Sequence, residues 1–106
     1  MAITFTDANF ESEVLQNDQL SVVDFWAPWC GPCIGVGKTL DILAQEYDGK
    51  VKIGKLNVAD NPEVSLTYGV TNMPCVLFIK NGQVVDKYVG AAPKNVYEKK
   101  IQEHIQ

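Results

Sequence analysis

Cys30 and Cys33 stand three positions apart, with Gly31 and Pro32 between them, where the apolar run of residues 20–27 stops and a helical pattern starts. Thiols so placed could ligate a metal, staple the fold or exchange electrons. Structural zinc takes four Cys or His ligands, most often as two spaced pairs. Here there is one pair, a lone Cys75 and a lone His104, in a spacing that fits no common zinc pattern, and no metal is expected. His104 reads more simply as a solvated residue in a last helical turn, where positive charge suits the dipole. A bridge over two intervening residues removes little entropy from the unfolded chain, so it gains little as a staple. Electron exchange makes sense of the placement. Cys30, just ahead of a helix, meets unpaired N–H groups and the positive end of a dipole, which favour a thiolate. Only the thiolate attacks disulfides. Cys33, one turn along on the same face, is poised to attack the mixed disulfide that forms. Gly31 and Pro32 make a tight turn into the helix, with Pro32 where no N–H is required.

Positioning these thiols needs a scaffold, and the hydrophobic pattern supplies one. Residues 3–6 alternate like a short strand, and Thr6 or Asp7 opens a helix with Phe10, Val14 and Leu15 on one face. Residues 20–27 are β-branched, aromatic and nearly continuous in apolarity, as in a strand buried on both faces. After the cysteines, Leu40, Leu43, Ala44 and Tyr47 fall at helical spacing, and Gly49 is a stop. Residues 51–58 form a second central strand. Residues 60–69 form a short helix with Asp60 or Asn61 as cap, Pro62 in its first turn and Gly69 past its end. From Cys75 onward, two strands are joined by Asn81-Gly82, a strong hairpin signal. An amphipathic helix through Val96, Tyr97, Ile101 and Ile105 closes the chain. The order βαβαβαββα predicts an α/β fold with a mixed sheet and helices on both faces.

The 106 residues, with 46% apolar and 21% charged content, predict one globular domain spanning residues 1–106. Net charge is −4 and all nine basic residues are lysine. Lacking arginine forks and a lysine stripe, the chain is not expected to bind nucleic acid. No apolar run approaches the ~20 residues of a membrane helix. The start MAITFTDANF has no secretory pattern. With an odd, small cysteine count, these features favour a cytoplasmic protein.

Asp24 is a carboxylate inside an apolar strand that leads to Cys30. It is either a kink or solvent-facing position, or a buried acid with a raised pKa that exchanges protons near neutrality; the second reading is preferred. Cys75 is either a third redox thiol or a small apolar core residue. Alternation places it with Leu77 and Ile79, opposite Val76 and Phe78, in a strand covered on both sides, so core is favoured. Trp26 fits core and site equally.

The segments VDFWAPWCGPC, KLNV with a following NP, MP before the hairpin, and KNGQVVDKYVG closely resemble the thioredoxin family, in order and at its spacings, nearly end to end. The resemblance implies the thioredoxin fold, a central five-stranded sheet with four helices. It implies a monomeric protein-disulfide reductase that needs no cofactor of its own, acts on disulfide-containing proteins and is re-reduced by an NADPH-dependent thioredoxin reductase. It also implies that Asp24 assists deprotonation of Cys33, with Lys55 nearby. Met73-Pro74 would be cis, and residue 73 would pair its backbone with an extended substrate segment. Trp29, Gly31, Pro32, Val58, Met73, Pro74, Gly90 and Ala91 would support or form the docking surface. Five positions depart from the family pattern: Ile34 replaces a usual lysine, Lys38 a usual proline and Cys75 a usual threonine, while Gly35 and Gly37 loosen the first helical stretch.

Two other functions compete with this reading. An oxidase or isomerase of the same fold usually carries histidine between the cysteines, so Gly31-Pro32 argues for a reductant. A docking module with dispensable cysteines is disfavoured by the intact Cys30, Cys33, Asp24 and Met73-Pro74.

Overall fold

The computed structural model describes residues 2–105. Its elements are β1 (Ile3–Phe5), a one-turn π-helix (Glu11–Leu15), β2 (Ser21–Trp26), α1 (Gly31–Glu46), β3 (Lys52–Asn57), α2 (Pro62–Thr67), β4 (Cys75–Lys80), β5 (Gln83–Val89) and α3 (Lys94–His104). The strands form one sheet in the order β1-β3-β2-β4-β5. β1 pairs with β3 and β3 with β2 in parallel. β4, although joined to β3 through the helix α2, runs antiparallel to both β2 and β5, so the expectation that every helix-linked strand runs parallel fails at β4. Asn81 (φ 53°) and Gly82 (φ 76°) supply the two left-handed residues that a tight hairpin needs. This is the expected mixed five-stranded sheet with four helices, three α and one π.

β2 lies at the centre, and its residues 21–25 are all buried. Side chains alternate across it. Val22, with Val76 and Phe78 of β4, packs under Leu40 and Leu43 of α1 and Tyr97 and Ile101 of α3. Val23 and Phe25 pack on the opposite face with Phe10 and Val14 of the π-helix segment and Val64 of α2. Fully burying a side chain such as Leu40 or Phe78, both 0% exposed, stabilises by about 1.5–3 kcal/mol. The same alternation turns Asp24 of β2 toward α1. No helix among the described residues is long and apolar enough to cross a membrane.

Three local expectations need correction. The first helix does not open at Thr6 or Asp7. The Thr6 and Asn9 side chains each accept the other's backbone N–H, at 3.1 and 2.8 Å, closing a turn before the π-helix. Asp7 instead accepts the N–H groups of Glu63 and Val64 at 3.1 and 3.0 Å, capping α2 from across the chain. Asn61 occupies the N-cap position of α2 without a side-chain cap bond; its amide oxygen accepts Asp7 N–H at 2.9 Å. His104 is not simply solvated, because its Nε2 lies 3.1 Å from Asp86 Oδ2.

Candidate active site

The loop after β2 delivers Cys30 to the start of α1. Cys30 is the N-cap residue, with extended backbone (φ −96°, ψ 100°), and Pro32 sits in the first turn. Its N–H donates to Ala27 O at 3.1 Å, and its carbonyl accepts the Cys33 N–H at 3.2 Å. The two cysteines are joined as a disulfide, with Cα atoms 5.4 Å apart. Their surroundings differ. Cys30 is half-buried, whereas Cys33 points inward and is 3% exposed.

A cavity of about 250 Å³ opens beside the disulfide. Both cysteines line it, together with Asp24 and Trp26 of β2, Ala27 and Pro28 of the loop, Ile34, Gly37, Lys38 and Asp41 of α1, and Lys55 of β3. Asp24 is 0% exposed, and neither of its carboxylate oxygens has a hydrogen-bond partner among the described residues. It is therefore the buried acid, not a solvent-facing kink. Burial pushes its carboxyl up to about 7, with Lys55 pulling down and Asp41 pushing up. Water solvates a carboxylate far better than the apolar flank of a sheet does, so the neutral form gains.

Lys55 is aligned with Asp24 in the parallel register of β2 and β3. Its ammonium nevertheless bonds Asp41 Oδ2 at 2.9 Å. Asp41 was not anticipated. Its signal is spacing, since residues 33, 37 and 41 recur every four positions and so share one stripe of α1. Trp26 is half-buried and lines the cavity wall, combining the two readings of it.

The remaining expected residues lie at the same end of the sheet but outside this cavity. Trp29, Gly31 and Pro32 are exposed beside the disulfide, next to the equally exposed Ile34 of the cavity rim. Val58 follows β3, and its N–H donates to Trp26 O at 2.9 Å. The Met73-Pro74 peptide is cis and immediately precedes β4, where Cys75 pairs with Phe25 of β2 and Val89 of β5. Gly90 N–H donates to Pro74 O at 2.8 Å, and Ala91 follows it, exposed. Pro74 itself is buried and Met73 half-buried. Cys75 is a free thiol, 3% exposed, packed with Leu77 and Ile79 on the face away from α1. Burial pushes its thiol pKa up, with Lys87 opposing. The structure places it in the core.

Comparison with known proteins adds a second line of observation. A family model described as Thioredoxin matches residues 1–103. The chain is 52% identical over 100 residues to a thioredoxin of Chlorobaculum thiosulfatiphilum, covering 94% of this chain and 93% of the relative. It is 44% identical over 104 residues to thioredoxin 1 of a Nostoc species, covering 98% and 97%. It is also 52% identical over 99 residues to a thioredoxin of Haemophilus influenzae, covering 93% and 92%.

Proposed function

The chain belongs to the thioredoxin family, and on that premise we propose that Cys30 attacks, Cys33 resolves and Asp24 takes the proton of the resolving thiol. The reaction is dithiol–disulfide exchange with proteins through the Cys30/Cys33 pair. In the reduced form, the Cys30 thiolate attacks one sulfur of a target disulfide. The target's S–S bond breaks, a Cys30–target mixed disulfide forms, and the departing target sulfur leaves as a thiolate that takes a proton from solvent. Cys33 then gives its proton to the Asp24 carboxylate, and its sulfur attacks Cys30 Sγ. The second target sulfur leaves, and two electrons have passed from the dithiol to the target. The Cys30–Cys33 disulfide seen here is the product state.

One observation supports this assignment above others: a buried carboxyl with no hydrogen-bond partner among the described residues, its pKa pushed up to about 7, lines the same cavity as the cysteines. A base poised near the working pH is half available and strong enough to accept a proton. Cys30 at the helix start has the N–H groups that stabilise a thiolate. Exposed Trp29 and Ile34, half-buried Val58 and Met73, and Pro74, Gly90 and Ala91 give the sheet end an apolar rim on which an extended segment of a disulfide-containing protein docks. Gly31 and Pro32 shape the turn, and Lys55 modulates Asp24. We further propose that residues 1–106 act as one monomeric domain in the cytoplasm, re-reduced by an NADPH-dependent thioredoxin reductase.

The test is reduction of insulin disulfides driven by dithiothreitol. Wild type accelerates precipitation of the freed chains, and Cys30→Ser abolishes the acceleration. Undiminished rates in Cys30→Ser would remove it from the attacking role.

A further inference from the structure

Beside Asp24, Lys55 is aligned residue for residue on the neighbouring strand. Left to itself, its long stem could bring an ammonium onto the orphaned carboxylate, and an opposite charge in contact holds a carboxyl ionised. That contact is absent among the described residues. The ammonium lies instead against α1, in a place where Gly37 has no side chain. A Cβ at Gly37 would stand 3.3 Å from Lys55 Nζ and 3.7 Å from Cε. One turn farther on, Asp41 Oδ2 accepts from Nζ at 2.9 Å, while Asp41 Oδ1 accepts the Ala2 N–H at 3.4 Å. The anchor is thus tied at both oxygens. The pair sits toward solvent, its side chains 28% and 41% exposed, whereas Asp24 is fully buried.

We propose that Asp41 is a positioning residue of the redox site: it holds the Lys55 ammonium against α1, over Gly37, and so keeps Asp24 an unpaired, proton-accepting carboxyl. This rests on the reading of Asp24 as proton acceptor for Cys33. Two charged groups are thereby set in opposition. Lys55 favours the ionised carboxyl and Asp41 the neutral one, and Asp41 also restrains the cation that would otherwise capture the site. The other titratable or charged groups around Asp24 are Cys33 and Lys38 of α1, which share its cavity, and Cys75 of β4 and Tyr97 of α3, whose ionisation the Asp24 charge disfavours. Cys75 and Tyr97 are both buried, with pKa values pushed up, and stay neutral while Asp24 titrates.

The experiment is a double-mutant cycle read by NMR titration of the Asp24 carboxyl carbon in the oxidised protein, where neither Cys30 nor Cys33 titrates. Asp41→Asn should lower the Asp24 midpoint by about one pH unit or more as Lys55 moves onto it. Asp41→Glu, which can still bind the ammonium, should stay close to wild type. In a Lys55→Met background, Asp41→Asn should produce less than half of that shift. A shift of equal size with and without Lys55 would mean that Asp41 acts on Asp24 through space, and no shift would mean that Lys55 stays put; either overturns the positioning role. The catalytic reading is scored separately, by the rate at which Cys33 resolves a Cys30 mixed disulfide in Asp24→Asn. An unchanged rate would remove Asp24 from proton transfer, while the titration would still decide where Asp41 holds Lys55.

Discussion

Asp24 and Lys55 are register partners on adjacent strands, yet the Lys55 ammonium bonds Asp41 and Asp24 has no hydrogen-bond partner among the described residues. A buried acid left this way is a cost to the fold that varies with pH. Its carboxyl titrates at about 7 in the folded protein and at about 4 in an unfolded chain. Between those values the native state holds a proton that the unfolded state has released. Stability therefore falls as pH rises through this window, and it levels off above about 7.

Asp24→Asn lacks that titration. The variant is expected to exceed wild type in stability by something on the order of 4 kcal/mol above pH 7, with the gap closing as pH falls toward 4. Urea midpoints of the oxidised proteins across pH 4 to 8.5 would check this. A gap independent of pH would show that Asp24 is not the group being titrated.

The glycines of α1 and β3 separate two kinds of constraint. A Cβ at Gly35 meets nothing within 4 Å, so Gly35→Ala should stabilise by about 1 kcal/mol, the helix-propensity difference. At Gly54 a Cβ would collide with the Phe5 ring and stand 2.7 Å from Ile3 O. Gly54→Ala should destabilise by about 1–3 kcal/mol through overpacking. Thermal unfolding of both variants checks the contrast, and a loss in Gly35→Ala would place unseen packing at that helix face.

Cys75 has the environment of a core residue, and its thiol pKa is pushed up by burial. Native reduced protein treated with an alkylating agent at pH 7.5 should label Cys30 first and leave Cys75 unlabelled until denaturant is added. Cys75→Thr should leave insulin reduction nearly unchanged. Prompt labelling of native Cys75, or any intramolecular disulfide to it after mild peroxide, would contradict the core placement.

Much of this architecture was legible where local pattern and tertiary packing agree. The apolar run that became β2 is buried on both faces, so its pattern left no competing assignment. Asn81-Gly82 needed two left-handed residues and had them. Cys30 ahead of Gly31-Pro32 read as a helix start because turn chemistry and capping are local. What was illegible depends on distant partners. Asp7 resembles a cap for its own segment, yet it caps α2, 56 and 57 residues away. His104 resembles a lone surface residue until β5 brings Asp86 to it. Asp41 is an ordinary helix acid in sequence and acquires its place only when β3 lays Lys55 across Gly37. Periodicity names the faces that pack, but it does not say which charges will meet on them.

Trapping the mixed disulfide separates the attacking thiol from the resolving one. Cys33→Ser should accumulate a covalent adduct with a disulfide-containing protein, and peptide mass spectrometry should place the bond at Cys30. Cys30→Ser should trap none. An adduct through Cys33 in the Cys30→Ser protein, forming as fast as the first, would reverse the assignment of attacker and resolver.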